Sequence, residues 1–246
     1  LDDNAFRTVA LPLEGHPVKI VFSGLNGQPE DYHAIRPFMA SRAKPASNIT
    51  GVYEKLHIRE AIKILSKMHG LTKVRILEDE TPTGKAIARQ VDLELAPQPH
   101  GEALPCQIDK QVIQSWEAFR EAIQAINADP EVGAFYLGAL MLKDRTGATH
   151  TVKDIIDHVV AEARKPAMGP NYAFIKMGLY GGASVDFYAM GYQAGQKIAA
   201  ILEGADPGQL PIEDAERLAL VFNLQRARQL GLTIPSDILL AADEVF

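Results

Sequence analysis

The chain has 246 residues, enough for one large domain or for two compact lobes each with a core of its own. Its 25 Lys and Arg stand against 31 Asp and Glu, a formal charge of −6, which argues against a nucleic-acid groove as the main surface. With 47% hydrophobic and 23% charged residues, wholesale disorder and fibrous folds are excluded; no apolar run approaches a membrane span, and the single Cys106 excludes an internal disulfide and a cysteine-rich zinc site.

Strand-like and helix-like runs alternate along the chain. Leu1-Asp2-Asp3-Asn4 is not a basic-then-apolar signal segment. Residues 17–22, a β-branched run ending in Ser23-Gly24, predict a buried parallel strand, and 26–47 a loop with a short helix. Residues 48–54 predict another strand. Over 57–68, apolar Ile58, Ala61, Ile62, Leu65 and Met68 form the stripe of an amphipathic helix closed by Gly70. A strand at 73–77 precedes a helix at 83–95, and a strand at 105–112 precedes a helix at 115–127 that Ser115 can cap. Residues 132–142 read as one strand leading to the turn Asp144-Arg145-Thr146-Gly147, 149–163 as a helix and 165–168 as a strand start.

Between 171 and 185, glycines at 178, 181 and 182 break the pattern, and Gly181-Gly182-Ala183-Ser184 is small enough for close backbone approach. A helix is expected over 186–203, with Gly191 and Gly195 on one face suited to packing against a sheet. A short extended stretch at 210–213, a strand at 218–222, and helices at 223–230 and 236–242 complete the chain. Strand alternating with helix at this spacing predicts α/β architecture with parallel sheets.

The chemistry-bearing motifs are few. Pro82-Thr83-Gly84-Lys85-Ala86 fails as a nucleotide-phosphate loop, since Asp79 stands where the first glycine belongs and Ala86 where a hydroxyl should hold magnesium. What remains is a strand running through Glu78, Asp79, Glu80, Thr81 and Thr83 into a helix start, which fits either a plain capping loop or a ligand-binding edge of an open sheet. His150, Asp154 and His158, four apart, would share a helix face, more in keeping with a solvated surface than with zinc. No Ser lies in a nucleophile elbow, for Ser23 lacks the preceding glycine, and no carboxylate pair stands out as acid and base. Trp116 reads as a helix-packing residue. Asp186 heads a helix, either as its cap alone or as a cap that also meets a ligand ammonium. No enzyme, metal or cofactor is predicted.

Several segments together resemble the substrate-binding proteins of ABC transporters. They are Val21-Phe22-Ser23-Gly24-Leu25-Asn26, Asn48-Ile49-Thr50-Gly51-Val52, Val185-Asp186-Phe187-Tyr188-Ala189-Met190-Gly191 and Ala199-Ala200-Ile201-Leu202-Glu203-Gly204, followed by the tail from Leu210-Pro211-Ile212-Glu213 to Ala242-Asp243-Glu244-Val245. The resemblance implies a type I periplasmic-binding-protein fold: two doubly wound parallel-sheet α/β lobes joined by crossover strands, with a small ligand held between them. It assigns residues 1–52 and 180–209 to lobe one, 53–179 to lobe two and 210–246 to a third crossing and C-terminal segment. It also implies that the strand–helix units opening lobe one in the family are absent before Leu1, leaving that lobe incomplete.

Carried over by position, the resemblance implies ligand contacts from Ser23 and Asn26, from Thr81, Thr83 and Gly84, and from Asp186 with Ser184 two residues ahead of it. Tyr53 and Glu54, next to the crossover motif, would line the cleft. The acidic Asp79-Glu80-Thr81-Pro82-Thr83 departs from the family's asparagine- and serine-bearing loop and favours an amine-bearing ligand over a dianion. The implied function is capture of an amino acid or related solute by hinge closure outside the cytoplasm, in the periplasm or cell envelope, for an ABC permease in the membrane. The alternative is the same fold as the extracytoplasmic sensor of a receptor signalling module.

Overall fold

Parallel strand pairing organises both halves of the chain. The computed structural model describes residues 3–97, 102–138 and 141–246. The chain divides into two units, Leu1–Lys55 with Val185–Leu218 and Leu56–Ser184 with Ala219–Phe246, and passes between them three times.

In the first unit, strand Ile20–Leu25 pairs in parallel with Ile49–Tyr53, which pairs on its other side with Glu213–Asp214. The first strand begins three residues later than the β-branched run suggested. Pro17 has no N–H to donate, and the ladder opens where Ile20 N donates to Asn48 O at 2.8 Å. It continues through Ser23 and Gly24 to Leu25, with a register shift after Ser23. Phe6, from the helical turns preceding this strand, packs edge-on against Phe22, Tyr32 and Phe38 with centroids 5.0, 5.1 and 5.5 Å away.

Helix Phe187–Leu202 buries Met190, Gln193, Ala194, Lys197 and Ile201, one stripe at helical spacing, while Lys197 Nζ donates to Pro211 O at 2.7 Å. Gly191 and Gly195, expected to pack against a sheet, lie on the opposite, exposed face, where an added Cβ meets nothing within 4 Å. Burial follows the larger side chains of the other stripe, so the glycine pair carries no packing signal.

The second unit contains a four-stranded parallel sheet in the order Gln107–Ile113, Lys73–Asp79, Val132–Leu137, Ala167–Met168. A second group runs Glu244–Val245, Leu218–Phe222, Gly181–Val185. Tyr180 links the two, its N donating to Ala167 O and its O accepting from Asn223 N, both at 3.0 Å. Helices Ile58–His69, Pro82–Leu95, Trp116–Ala128 and Val152–Glu162 flank the sheet. Phe119, Ile123, Ile126, Phe135, Leu137, Ile156 and Val159 are fully buried in one core cluster, with Trp116 packed against it. Ser115 caps its helix as expected, its Oγ accepting from Ala118 N at 3.1 Å, and Gly70 closes another in the left-handed conformation.

Two stretches differ from the sequence reading. Residues 132–142 are not one strand: Val132–Leu137 ends where Gly138 N donates to Leu77 O at 2.8 Å, and a separate pair, Leu142–Lys143 with Thr149–His150, forms an antiparallel hairpin. Ala139 and Leu140 lie outside the described residues. The next helix therefore starts at Val152, behind a capping box of Thr151 and Asp154. His150 is off that helix, stacked on Trp116 at 4.2 Å, so the face shared by His150, Asp154 and His158 does not form. The second stretch is the glycine-rich one. It holds helix Tyr172–Lys176 and the wholly buried strand Gly181–Val185. Gly181, at φ 121°, lies so close to the neighbouring strand that an added Cβ would be 2.2 Å from Val221 O. Low strand propensity here reflects the need for close backbone approach rather than a loop.

Candidate functional site

Each unit presents polar residues where its parallel strands end, the edge at which open α/β sheets commonly bind ligands. In the first unit, strand Ile20–Leu25 runs into Asn26 and Gly27, and both backbone N–H groups donate to Asp3 Oδ1, at 3.1 and 2.9 Å. Asn26 Nδ2 donates to Asp3 Oδ2 at 2.9 Å and the Tyr32 hydroxyl donates to Asp3 Oδ1. Burial, then this carboxylate, pushes the Tyr32 phenol well above its usual range. Of the predicted residues, Asn26 is thus engaged by a carboxylate of the chain itself. Ser23 is half-buried within the strand.

Tyr53 ends the neighbouring strand, buried, its hydroxyl accepting from Gln28 Nε2 at 2.5 Å. The Arg42 guanidinium lies 5.5 Å over its ring. Arg42 also grips Glu30 through Nε at 2.7 Å and Nη2 at 2.6 Å, and reaches Asp214 through Nη1 at 2.9 Å. Its hydrogen bonds hold the Glu30 carboxyl below the usual range.

Glu54 follows Tyr53 and is 6% exposed. Its N donates to Leu25 O at 3.1 Å. Its carboxylate forms no ion pair or side-chain hydrogen bond among the described residues. Burial, and then the negative charge of Asp3, raises its pKa to about 7. Asp186, half-buried, accepts from Ala189 N at 2.8 Å as the cap of helix Phe187–Leu202.

In the second unit, strand Lys73–Asp79 ends in a closed turn. Thr81 N and Oγ donate to Asp79 Oδ1 at 2.9 and 2.5 Å, while Thr81 Oγ accepts from Gly84 N at 3.0 Å. A Cβ on Gly84 would lie 1.9 Å from Asp79 Oδ1 and 2.6 Å from its backbone O, so only glycine fits. Thr83 is half-buried on the first helical turn, with no side-chain hydrogen bond among the described residues. Ser184 is fully buried in its strand, its Oγ donating to Ala219 O at 3.4 Å. The predicted residues are thus placed within two units: Asn26, Tyr53 and Glu54 at one strand edge, Thr81, Thr83 and Gly84 at the other.

Sequence reasoning missed Asp3, Arg42 and Asp214. No local pattern marks them, because each acts on residues far along the chain. Among the described residues no group of three His, Cys, Asp or Glu converges as a metal site, and no helix is long and apolar enough to cross a membrane.

Solved structures share the fold. One is an ABC domain in complex with L-Trp from Streptococcus pneumoniae, at TM-score 0.72 and 17% identity, the match covering all of this chain and 78% of that one. A conserved domain protein from Vibrio cholerae has TM-score 0.67 and 24% identity, over 93% of this chain and 71% of that one. A ligand-free, open substrate-binding protein with adhesive properties from Clostridium difficile has TM-score 0.70 and 11% identity, over 100% and 76%. Among curated proteins none matches. A family model described as ABC transporter substrate binding protein covers residues 36–246. The parallel sheets, the three passages between units and this match agree: the chain belongs to the family of ABC transporter substrate-binding proteins, with a type I periplasmic-binding-protein fold.

Proposed function

We propose that the chain captures a small polar solute, an amino acid or a related amine-bearing compound, and delivers it to an ABC permease from outside the cytoplasmic membrane. The observation that carries this reading is the family match over residues 36–246. The buried Glu54 carboxyl at the strand edge of the first unit favours an amine-bearing solute, since an uncompensated carboxylate attracts cations and repels dianions. Ligand contacts from both lobes would favour a closed arrangement over an open one, and the permease would read that difference. Tyr53, Glu54 and Asp186 supply polar groups from one lobe and Thr83 from the other, while Asn26 and Thr81 shape these edges through Asp3 and Asp79. In this scheme binding energy sets a conformational equilibrium and no covalent bond changes.

Clefts of this kind retain their solutes through purification when affinity is high. Native mass spectrometry of the purified protein should show an adduct of a few hundred daltons or less that is lost on unfolding and refolding. A protein that carries no adduct and takes up no amine or amino acid in calorimetry would overturn the reading.

A further inference from the structure

Glu54 is a buried carboxylate with no side-chain hydrogen bond or ion pair among the described residues, and such a group is costly unless something supplies the missing charge. It is 6% exposed, and its Oε2 lies 3.7 Å from where a Cβ on Gly24 would stand, with Met190 Cε at 3.6 Å from that point. Both are ordinary contact distances, so the missing side chain of Gly24 leaves room for a group the size of a methyl or ammonium between the carboxylate and the thioether methyl. Asp3 is the titratable group whose charge registers at Glu54, and among the described residues no Lys, Arg or His charge registers there. The neighbouring Asn26–Gly27 amides, with Asn26 Nδ2 and the Tyr32 hydroxyl, form a carboxylate cradle, and Asp3 already fills it. Among the described residues this edge therefore has a negative charge to offer, and its carboxylate cradle is taken by Asp3.

Resting on the reading above, we infer that Glu54, backed by Asp3, is the seat of the ligand's ammonium group, and that the ligand presents this edge with an amine and no carboxylate. Binding then proceeds with proton release: the protonated Glu54 carboxyl loses its proton to solvent, and the resulting carboxylate accepts hydrogen bonds from the incoming ammonium, whose own charge is unchanged. A pKa raised by burial and by Asp3 agrees with this order of events.

The test is calorimetric titration of putrescine and spermidine, with acetate and glycine as comparisons, in two buffers of different ionisation enthalpy. At pH 6 the wild-type protein should bind a diamine with release of about one proton per site, falling to little at pH 8. Glu54→Gln should weaken binding at least tenfold and abolish the release. The wild-type proton count stands independently of how well the variant folds. Diamine binding without proton release, or unchanged in Glu54→Gln, would overturn the inference. So would tight binding of glycine or acetate where the diamines fail, which leaves the solute-binding reading intact. Failure of every solute, together with no retained adduct, would instead remove that reading.

Discussion

Two carboxylates stand at comparable places in the two units, each at the end of a parallel strand, and their surroundings are opposite. Asp79 is 3% exposed and is consumed by its own turn, accepting from Thr81 N and Oγ and, at 3.4 Å, from Met141 N. Glu54 is buried to a similar degree but faces a glycine, a methionine methyl and another negative charge. The first is what a folded chain does with a buried acid to gain stability. The second is a group whose folded environment works against its charge, a pattern concentrated at functional sites. The contrast separates the acid that builds the scaffold from the acid left for something else.

Breaking the scaffold acid should have the largest effect. Gly84→Ala forces Asp79 from its turn and leaves it buried and unpaired, so it should lower stability by about 4 kcal/mol, overpacking and lost charge-assisted hydrogen bonds together. Chemical denaturation checks this, and a change below about 1 kcal/mol would mean that the turn relaxes freely.

Glu54 should respond in the other direction. Its pKa rises from 4.5 to about 7 on folding, so the folded state holds the proton more tightly than the unfolded one. The resulting stability is complete below pH 4.5 and is lost as the pH rises through 7. At ~1.36 kcal/mol per pH unit the loss is roughly 3 kcal/mol. Glu54→Gln should therefore flatten the stability profile between pH 5 and 8 and be the more stable protein at pH 8, as read from melting temperatures across that range. A wild-type profile already flat there would mean that Glu54 is solvated.

The smallest effect sharpens the comparison on a third carboxylate. Asp186→Ala should cost about 1 kcal/mol, the worth of a helix cap, whereas Asp186→Asn, which can still accept from Ala189 N, should cost a few tenths. An equal loss from both would show that the charge at Asp186, and not its hydrogen bond, is what the helix start uses.

Much of this molecule was legible in its sequence because much of it is local. Ser115, Thr81 and Asp186 sit three residues before the N–H groups they cap, and apolar spacing marks the buried face of Ile58–His69; both signals lie within a turn or two of chain. The alternation of strands and helices likewise follows from periodicity alone. Tertiary structure decided the rest. Asp3 reaches Asn26 across 23 positions and Arg42 reaches Asp214 across 172. The buried strand at Gly181 exists because another strand lies against it, and His150 left its expected helix for a hairpin and the face of Trp116. A residue's neighbours a turn away are set by backbone geometry. Neighbours brought together by folding are set by which surfaces the whole chain can bury at once, and the partners that decide whether a carboxylate is content or exposed to demand belong to that second kind.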